Sequence, residues 1–74
     1  MSDAPEIRRF VCWARYRDEG RRPRWSLVSA WTAADAIAQS ELRLRSLPEL
    51  VLTQVEPYEK AHESILPLRQ EDRW

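Results

Sequence analysis

Two stretches of alternating side chains surround a short segment that contains the only glycine of the chain. In residues 7–17, one side of the predicted strand carries Phe10, Cys12, Ala14 and Tyr16, and the other side carries Ile7, Val11, Trp13 and Arg15. In residues 24–31, one side carries Trp25, Leu27, Ser29 and Trp31. A period of two predicts β-strands. The intervening DEGRRPR holds Gly20, which tolerates a positive φ, and Pro23, which has no N–H, so we expect an antiparallel hairpin with a turn of several residues.

A helix and a third strand follow the hairpin. The run AADAIAQSELRL, residues 33–44, consists mostly of strong helix formers, and the Thr32 hydroxyl is placed to accept the backbone N–H of Asp35. LVLTQV, residues 50–55, is rich in β-branched residues and is closed by Pro57. With the third strand paired to the first, the sequence predicts an α+β fold, a two-layer ββαβ domain. Its three-stranded antiparallel sheet has the order 2-1-3 and carries one helix on one face.

The residues outside these elements are assigned to the two ends of the chain. Residues 7–58 form the predicted core domain, and residues 1–6 are expected to be a flexible N-terminus. Residues 59–74 are expected to be an irregular C-terminal tail, with a short helical turn near residues 60–64 and an extended stretch over residues 65–68.

A chain of 74 residues forms one domain with a thin margin of stability, because it buries only ~60–65% of its unfolded surface. Disulfides, a metal or a partner often supplement domains of this size. Cys12 is the single cysteine and His62 the single histidine, which excludes an internal disulfide and a zinc site of about four such ligands. We expect no metal and no cofactor. The lone cysteine, with no signal segment and no apolar run of ~20 residues, predicts a soluble cytoplasmic protein without a membrane partner.

Both faces of the predicted sheet carry bulky apolar side chains, whereas the sequence predicts only one helix, about 18 Å long, to cover them. We therefore expect an exposed apolar patch on the second face, of a size that marks an interaction site. The alternative is that the tail folds back and covers this face with Ile65, Leu66, Leu68 and Trp74.

Charge is unevenly distributed along a chain whose formal net charge is zero. Residues 8–24 hold seven arginines against Asp18 and Glu19, a local charge of +5, so the rest of the chain sums to −5. Such asymmetry can steer a charged partner, or the two halves can neutralise each other within one domain. The candidate partner-binding residues are Trp13, Arg15, Arg17, Arg22, Arg24 and Trp25, and the candidate acidic face consists of Glu49, Glu56, Glu59 and Glu63.

Three functions fit these residues. Arginine, tryptophan and tyrosine are enriched at interface hot spots, which favours a non-enzymatic protein-binding module. One alternative is a single-stranded nucleic-acid-binding protein that uses the arginine- and tryptophan-rich hairpin, although zero net charge and a single lysine count against it. The other is a homodimeric structural protein joined through the uncovered face.

Catalysis is not expected, and no catalytic residue is assigned. His62 lies in the predicted tail, and Cys12 has no histidine near it in sequence that could activate its thiol. A chain with one glycine also has no glycine-rich phosphate loop.

The passage WSLVSAWTAADAIAQSEL, followed downstream by LTQVEP, resembles small orphan proteins of tailed bacteriophages. In these proteins a short hairpin leads into a T-A-A-D-A helix and a strand ends in V-E-P. The resemblance covers about residues 10–57 and brings no binding residues to transfer. It implies a phage-encoded inhibitor of a host defence or nucleic-acid-processing complex, acting in the host cytoplasm as anti-CRISPR proteins do. The acidic face then offers a modest mimic of DNA toward a basic host protein.

Overall fold

The computed structural model describes residues 6–18, 20–67 and 73–74. Its elements are strand β1 (Arg8–Tyr16), strand β2 (Arg24–Ala30), helix α1 (Ala33–Leu44), strand β3 (Leu50–Pro57) and helix α2 (Tyr58–Ile65). The first four lie within a residue or two of the sequence prediction. The predicted flexible N-terminus, apart from Glu6, and Leu68 at the end of the predicted extended stretch lie outside the described residues.

The strands form one antiparallel sheet in the order β2-β1-β3, which confirms the predicted α+β fold and strand order. The register between β1 and β3 shifts between Trp13 and Ala14, so that β3 carries one extra residue, Thr53, at this point. Gly20 in the turn between β1 and β2 has a φ of 86°, a conformation that favours glycine.

Helix α1 covers one face of the sheet with a narrow row of mostly small residues, Ala36, Ser40 and Leu44. Its N-terminus is capped as predicted, because Thr32 Oγ1 accepts the backbone N–H of Asp35 at 3.1 Å. Ile37, the residue after Ala36, is 39% exposed. Residues 36, 40 and 44 are each four apart and form one row facing the sheet, so Ile37 falls on the flank of the helix that lies toward β3.

Helix α2 covers the second face of the sheet, where the sequence predicted only an irregular tail with a short helical turn. Tyr58, Ala61 and Ile65 follow a helical spacing and belong to the cluster that buries Val11 and Trp25. Three apolar positions in eight residues are a weak periodic signal, so this helix depends on the sheet for its stability. The expectation of an irregular segment is therefore corrected for residues 58–65.

Most of the expected open apolar face is covered, because the segment after β3 folds back onto it; Ile7 and Trp31, at one end of the sheet, stay exposed. Trp25 is only 3% exposed beneath this cover. Ile65 takes part as the alternative proposed, but Leu66 is 70% exposed. Trp74 instead packs on the α1 side of the sheet. The part of this face that α2 covers therefore gives no indication of a partner.

Candidate functional site

Three guanidinium groups converge on Tyr16, at the end of β1. The Cζ atom of Arg21 lies 3.7 Å from the centroid of the tyrosine ring. Arg24 Nη1 donates to the tyrosine hydroxyl at 3.3 Å, and Arg15 Nη1 donates to the Tyr16 carbonyl at 3.4 Å. We call Arg15, Tyr16, Arg21 and Arg24 the Tyr16 cluster. Arg21 and Arg24 contact the half-buried side chain of Tyr16, and Arg15 contacts its backbone.

The hairpin itself produces this cluster. Arg24 pairs with Ala14 in the β1–β2 register, and Tyr16 is the next residue of β1 on the same side as Ala14. The two side chains are therefore diagonal neighbours, within reach of each other. The turn reverses through Gly20 and returns Arg21 over the tyrosine ring. A cleft of about 290 Å³ beside this turn is lined by Tyr16, Gly20, Arg21 and Arg22.

The end of the chain is tied to the same region. Arg24 Nη2 donates to the Arg73 carbonyl at 3.0 Å, and the Trp74 backbone N–H donates to the Trp25 carbonyl at 2.7 Å. The Arg73 guanidinium also lies 5.6 Å from the centroid of the Trp25 ring. Arg24 is thus held from both sides, by Tyr16 and by the C-terminal segment.

Arg17 continues the pairing of β1 with the segment that leads into β3. Its backbone N–H donates to the Glu49 carbonyl at 2.9 Å, and its Nε donates to the Pro48 carbonyl at 2.8 Å. The side chain lines a cleft of about 300 Å³ that Glu41 and Arg45 also line. Arg17 therefore fastens the loop before β3 and lies outside the Tyr16 cluster.

The two tryptophans of the candidate partner-binding set do not offer free rings. Trp25 lies in the core, as described above. Trp13 is half-buried against the same cluster as Trp25, and its Nε1 donates to Glu56 Oε2 at 2.8 Å. The structure therefore joins one candidate from the basic set to one from the acidic set by an intramolecular hydrogen bond.

The four candidate acidic residues do not form one face. Glu59 and Glu63 are exposed one turn apart on α2, near the end of β3 where Glu56 lies. Glu49 precedes the other end of β3, about 23 Å away at ~3.3 Å per residue, and is adjacent to Arg17. This separation gives no support to mimicry of a continuous DNA surface.

Sequence reasoning missed Tyr16 and Arg21 and found Arg15, Arg24 and the neighbouring Arg22. Tyr16 was assigned only to the apolar side of its strand, and Arg21 only to the turn. The signal was the hairpin register, since a glycine-containing turn returns its following residues over the last side chain of the preceding strand. A similar pair forms at the opposite end of the sheet, where Arg9 Cζ lies 4.4 Å from the centroid of the Tyr58 ring.

The titratable groups considered for catalysis lie apart from this cluster. Burial raises the pKa of the Cys12 thiol, against smaller opposing effects of a hydrogen bond with Ser40 and the charge of Arg43. His62 packs against Tyr58, with ring centroids 5.9 Å apart. Among the described residues, no group of three or more His, Cys, Asp or Glu side chains is arranged to hold a metal ion.

Comparison of the chain with protein-family models, curated proteins and solved structures found no match. Within the described ranges, neither helix has the length and apolar character needed to cross a membrane.

Proposed function

We propose that this protein is a non-enzymatic protein-binding module that contacts an acidic region of its partner through the Tyr16 cluster. The observation that carries the proposal is that Arg21 and Arg24 both contact the Tyr16 side chain, while Arg15 bonds the backbone carbonyl of the same residue. A guanidinium pairs with a carboxylate through two parallel hydrogen bonds, so several oriented arginines match a surface of Asp and Glu side chains.

The restraint on these arginines supports the proposal energetically. Ordering a free arginine side chain on binding costs about 1 kcal/mol, and this cost falls when the side chain is already held in place. Arg21 is held by the ring of Tyr16, and Arg24 by its hydroxyl and by the Arg73 carbonyl. Arginine and tyrosine are also among the residues most enriched at interface hot spots.

The aromatic side chains favour a protein partner over a single-stranded nucleic acid. Base stacking requires open ring faces. Trp25 is buried, Trp13 is half-buried and bonded to Glu56, and one face of Tyr16 is occupied by Arg21. Next to the Tyr16 cluster, a nucleic acid would therefore depend on phosphate contacts, and these are steeply weakened by salt.

The narrower form of the proposal is an inhibitor. It rests on the likeness of residues 10–57 to small phage proteins, and it places the partner among host defence or nucleic-acid-processing complexes in the host cytoplasm. In this form the Tyr16 cluster occupies an acidic surface that the host complex needs.

The test compares matched charge-removing variants of the full chain. Arg21→Ala with Arg24→Ala removes two cluster arginines, and Arg8→Ala with Arg43→Ala removes two exposed arginines elsewhere. In affinity capture from host lysate, we expect proteins retained by the wild type and by the Arg8/Arg43 variant to be lost with the cluster variant. A loss of roughly tenfold in affinity corresponds to about 1.4 kcal/mol. Circular dichroism establishes that each variant is folded.

Two further measurements separate the competing interpretations. Arg21→Lys with Arg24→Lys keeps the charge but removes the guanidinium geometry, and we expect it to bind as weakly as the alanine pair. Fluorescence anisotropy with labelled single-stranded DNA at about 50 and 200 mM salt detects the nucleic-acid alternative by a steep salt dependence. Equal retention of the same proteins by the cluster variant and the Arg8/Arg43 variant would refute the proposal.

A further inference from the structure

The two outer edges of the sheet differ in how their backbone groups are satisfied. At the β2 edge, the Trp25 carbonyl accepts the Trp74 N–H at 2.7 Å, and the Ser29 carbonyl accepts Gln39 Nε2 at 3.1 Å. At the β3 edge, no other described residue bonds to the outward backbone groups of Leu52 or Val55. The chain therefore bonds two outward carbonyls of the β2 edge, whereas the described residues leave the middle of the β3 edge available for strand pairing.

The ladder pattern identifies which β3 residues face outward. Residues of an antiparallel strand alternate between bonding the neighbouring strand and pointing their N–H and C=O away from it. The Glu49 carbonyl accepts the Arg17 N–H at 2.9 Å, which makes this a hydrogen-bonded pair. In the β1–β3 register, the odd-numbered residues of β1 therefore form the hydrogen-bonded pairs with β3. The β3 residues opposite the even-numbered residues of β1 face outward, and these are Leu50, Leu52, Val55 and Pro57.

The extra residue in β3 gives this outward set a single centre of symmetry. Leu50 and Leu52 lie as far before the Thr53–Gln54 bond as Pro57 and Val55 lie after it. Consider a second β3 that runs in the opposite direction, with the two-fold axis between residues 53 and 54. Every outward residue of one strand then lies opposite an outward residue of the other. Other two-fold registers either set outward residues against inward ones or pair outward residues on only one side of the extra residue.

At both ends of the β3 edge the backbone cannot donate a hydrogen bond to another strand, so pairing is limited to the middle of the edge. The Leu50 N–H already donates to the Leu47 carbonyl at 3.0 Å, and Pro57 has no N–H. The central pair, Leu52 with Val55 of the other copy, occurs twice because of the symmetry and provides four main-chain hydrogen bonds. A longer extended peptide would gain little from the blocked ends, which favours a second copy with the same short, self-matching segment.

The side chains next to this edge are also suited to a second copy. Ile37 on α1 lines a cleft of about 170 Å³ with Leu52, Thr53, Gln54 and Val55. A two-fold axis perpendicular to the sheet places both α1 helices on the same side of it, with the flanks that carry Ile37 facing each other. The contact thereby covers an apolar side chain that is partly exposed in one copy.

We propose that two copies of this chain associate through antiparallel β3 strands, with the two-fold axis between Thr53 and Gln54, to form a continuous six-stranded sheet. The contact is independent of the Tyr16 cluster, because Arg21 and Arg24 lie on the β1–β2 hairpin, which lies away from the open edge of β3. The dimer presents two Tyr16 clusters and can bind two acidic sites of one partner.

Sedimentation equilibrium of the full chain at micromolar concentrations tests the association. We expect the mass to approach twice the monomer mass. Thr53→Lys with Gln54→Lys places four positive charges at the axis, on residues whose side chains are exposed in one copy, and should weaken dimerisation roughly tenfold or more. Arg21→Ala with Arg24→Ala should leave the doubled mass unchanged, so failure of the proposed function and failure of the dimer are separately visible.

Cysteine cross-linking tests the register. An equimolar mixture of Thr53→Cys and Gln54→Cys chains should form disulfide-linked dimers under mild oxidation, because residues paired across strands lie within disulfide range. A Ser29→Cys chain, exposed on the β2 edge, is the control and should not cross-link. A monomeric wild type over the whole concentration range overturns the proposal, as does a dimer that neither the lysines weaken nor the cysteines link.

Discussion

The indole N–H of Trp13 donates to the Glu56 carboxylate at 2.8 Å, joining β1 to β3 on the face of the sheet that α2 covers. The two residues are 43 positions apart in the chain and were predicted to belong to different surfaces. Their hydrogen bond keeps the Trp13 ring against the cluster of Val11 and Trp25, so its contribution is to the fold.

Replacing Glu56 should show how much this hydrogen bond contributes to the stability of the fold. We expect Glu56→Ala to lower the free energy of unfolding by about 1–2 kcal/mol, because a hydrogen bond to a charged group is lost in a partly buried place. Urea denaturation followed by tryptophan fluorescence gives the value. Glu59→Ala is the control, because it removes an exposed carboxylate three residues further along the chain. It should change the free energy of unfolding by less than about 0.5 kcal/mol. Equal effects of the two substitutions would show that the bond is not formed in solution.

Placing a charge at Ala61 should release α2 from the sheet. Ala61 is fully buried against Val11 and Trp25, and an aspartate there would leave a carboxylate without a partner in an apolar contact. We expect Ala61→Asp to destabilise the chain by about 3 kcal/mol or to detach the helix, with increased binding of a dye that reports exposed apolar surface. Ser64→Asp, exposed on the same helix, is the matched control and should behave like the wild type.

Truncating Trp74 should weaken the α1 side of the sheet and the end of β2 together. Its ring packs on the clusters that contain Phe10 and Leu50, and its backbone N–H bonds to the Trp25 carbonyl. Because Trp74 Nε1 is buried without a hydrogen-bond partner among the described residues, the gain from packing is partly offset. We expect Trp74→Ala to lower the urea midpoint by an amount equivalent to about 2 kcal/mol.

Trp31→Ala provides the comparison, since that ring is 49% exposed and packs in none of the buried clusters of the described residues. In the same denaturation measurement, Trp31→Ala should lower the free energy of unfolding by less than about 1 kcal/mol. A larger effect at Trp31 than at Trp74 would contradict the assignment of Trp74 to the core.

The buried thiol of Cys12 should make stability depend on pH in the alkaline range. Its pKa is raised in the folded chain from a value of 9.0, mainly by burial, so the folded state holds the proton more tightly than the unfolded state. The stabilisation is complete below pH 9 and is lost as pH rises above it, because the unfolded thiol then ionises first. We expect the stability difference between wild type and Cys12→Ala to shrink from pH 8 to pH 10. A constant difference would show that the thiol titrates alike in both states.

Much of the fold was predictable from local pattern. Alternation identified β1 and β2, and the Thr32 cap with its run of helix formers located α1, because these signals arise from backbone geometry within a few residues. The order β2-β1-β3 followed from pairing the third strand to the first. Helix α2 was predicted only as a short turn, because eight mostly polar residues become helical when the sheet supplies the apolar surface against which Ala61 packs.

The candidate site was predictable only in part. Residue type and spacing identified Arg15 and Arg24, but equally marked Trp25, which the structure places in the core. Alternation states which side chains share a face; it does not state which faces will be covered. Tyr16 became the centre of the arginine cluster through the hairpin register and the positive φ at Gly20, which together return Arg21 to the ring.

By itself, the sequence determined the hairpin, the capped helix, the strand order and the uneven charge, since each depends on contacts within an element or on a single pairing choice. The tertiary structure decided that α2 covers most of the second face, that Trp13 bonds to Glu56, and that no other described segment pairs with the β3 edge. These outcomes depend on how segments that are distant in the sequence pack against each other. The free energy that stabilises this packing comes from the burial of apolar surface between elements.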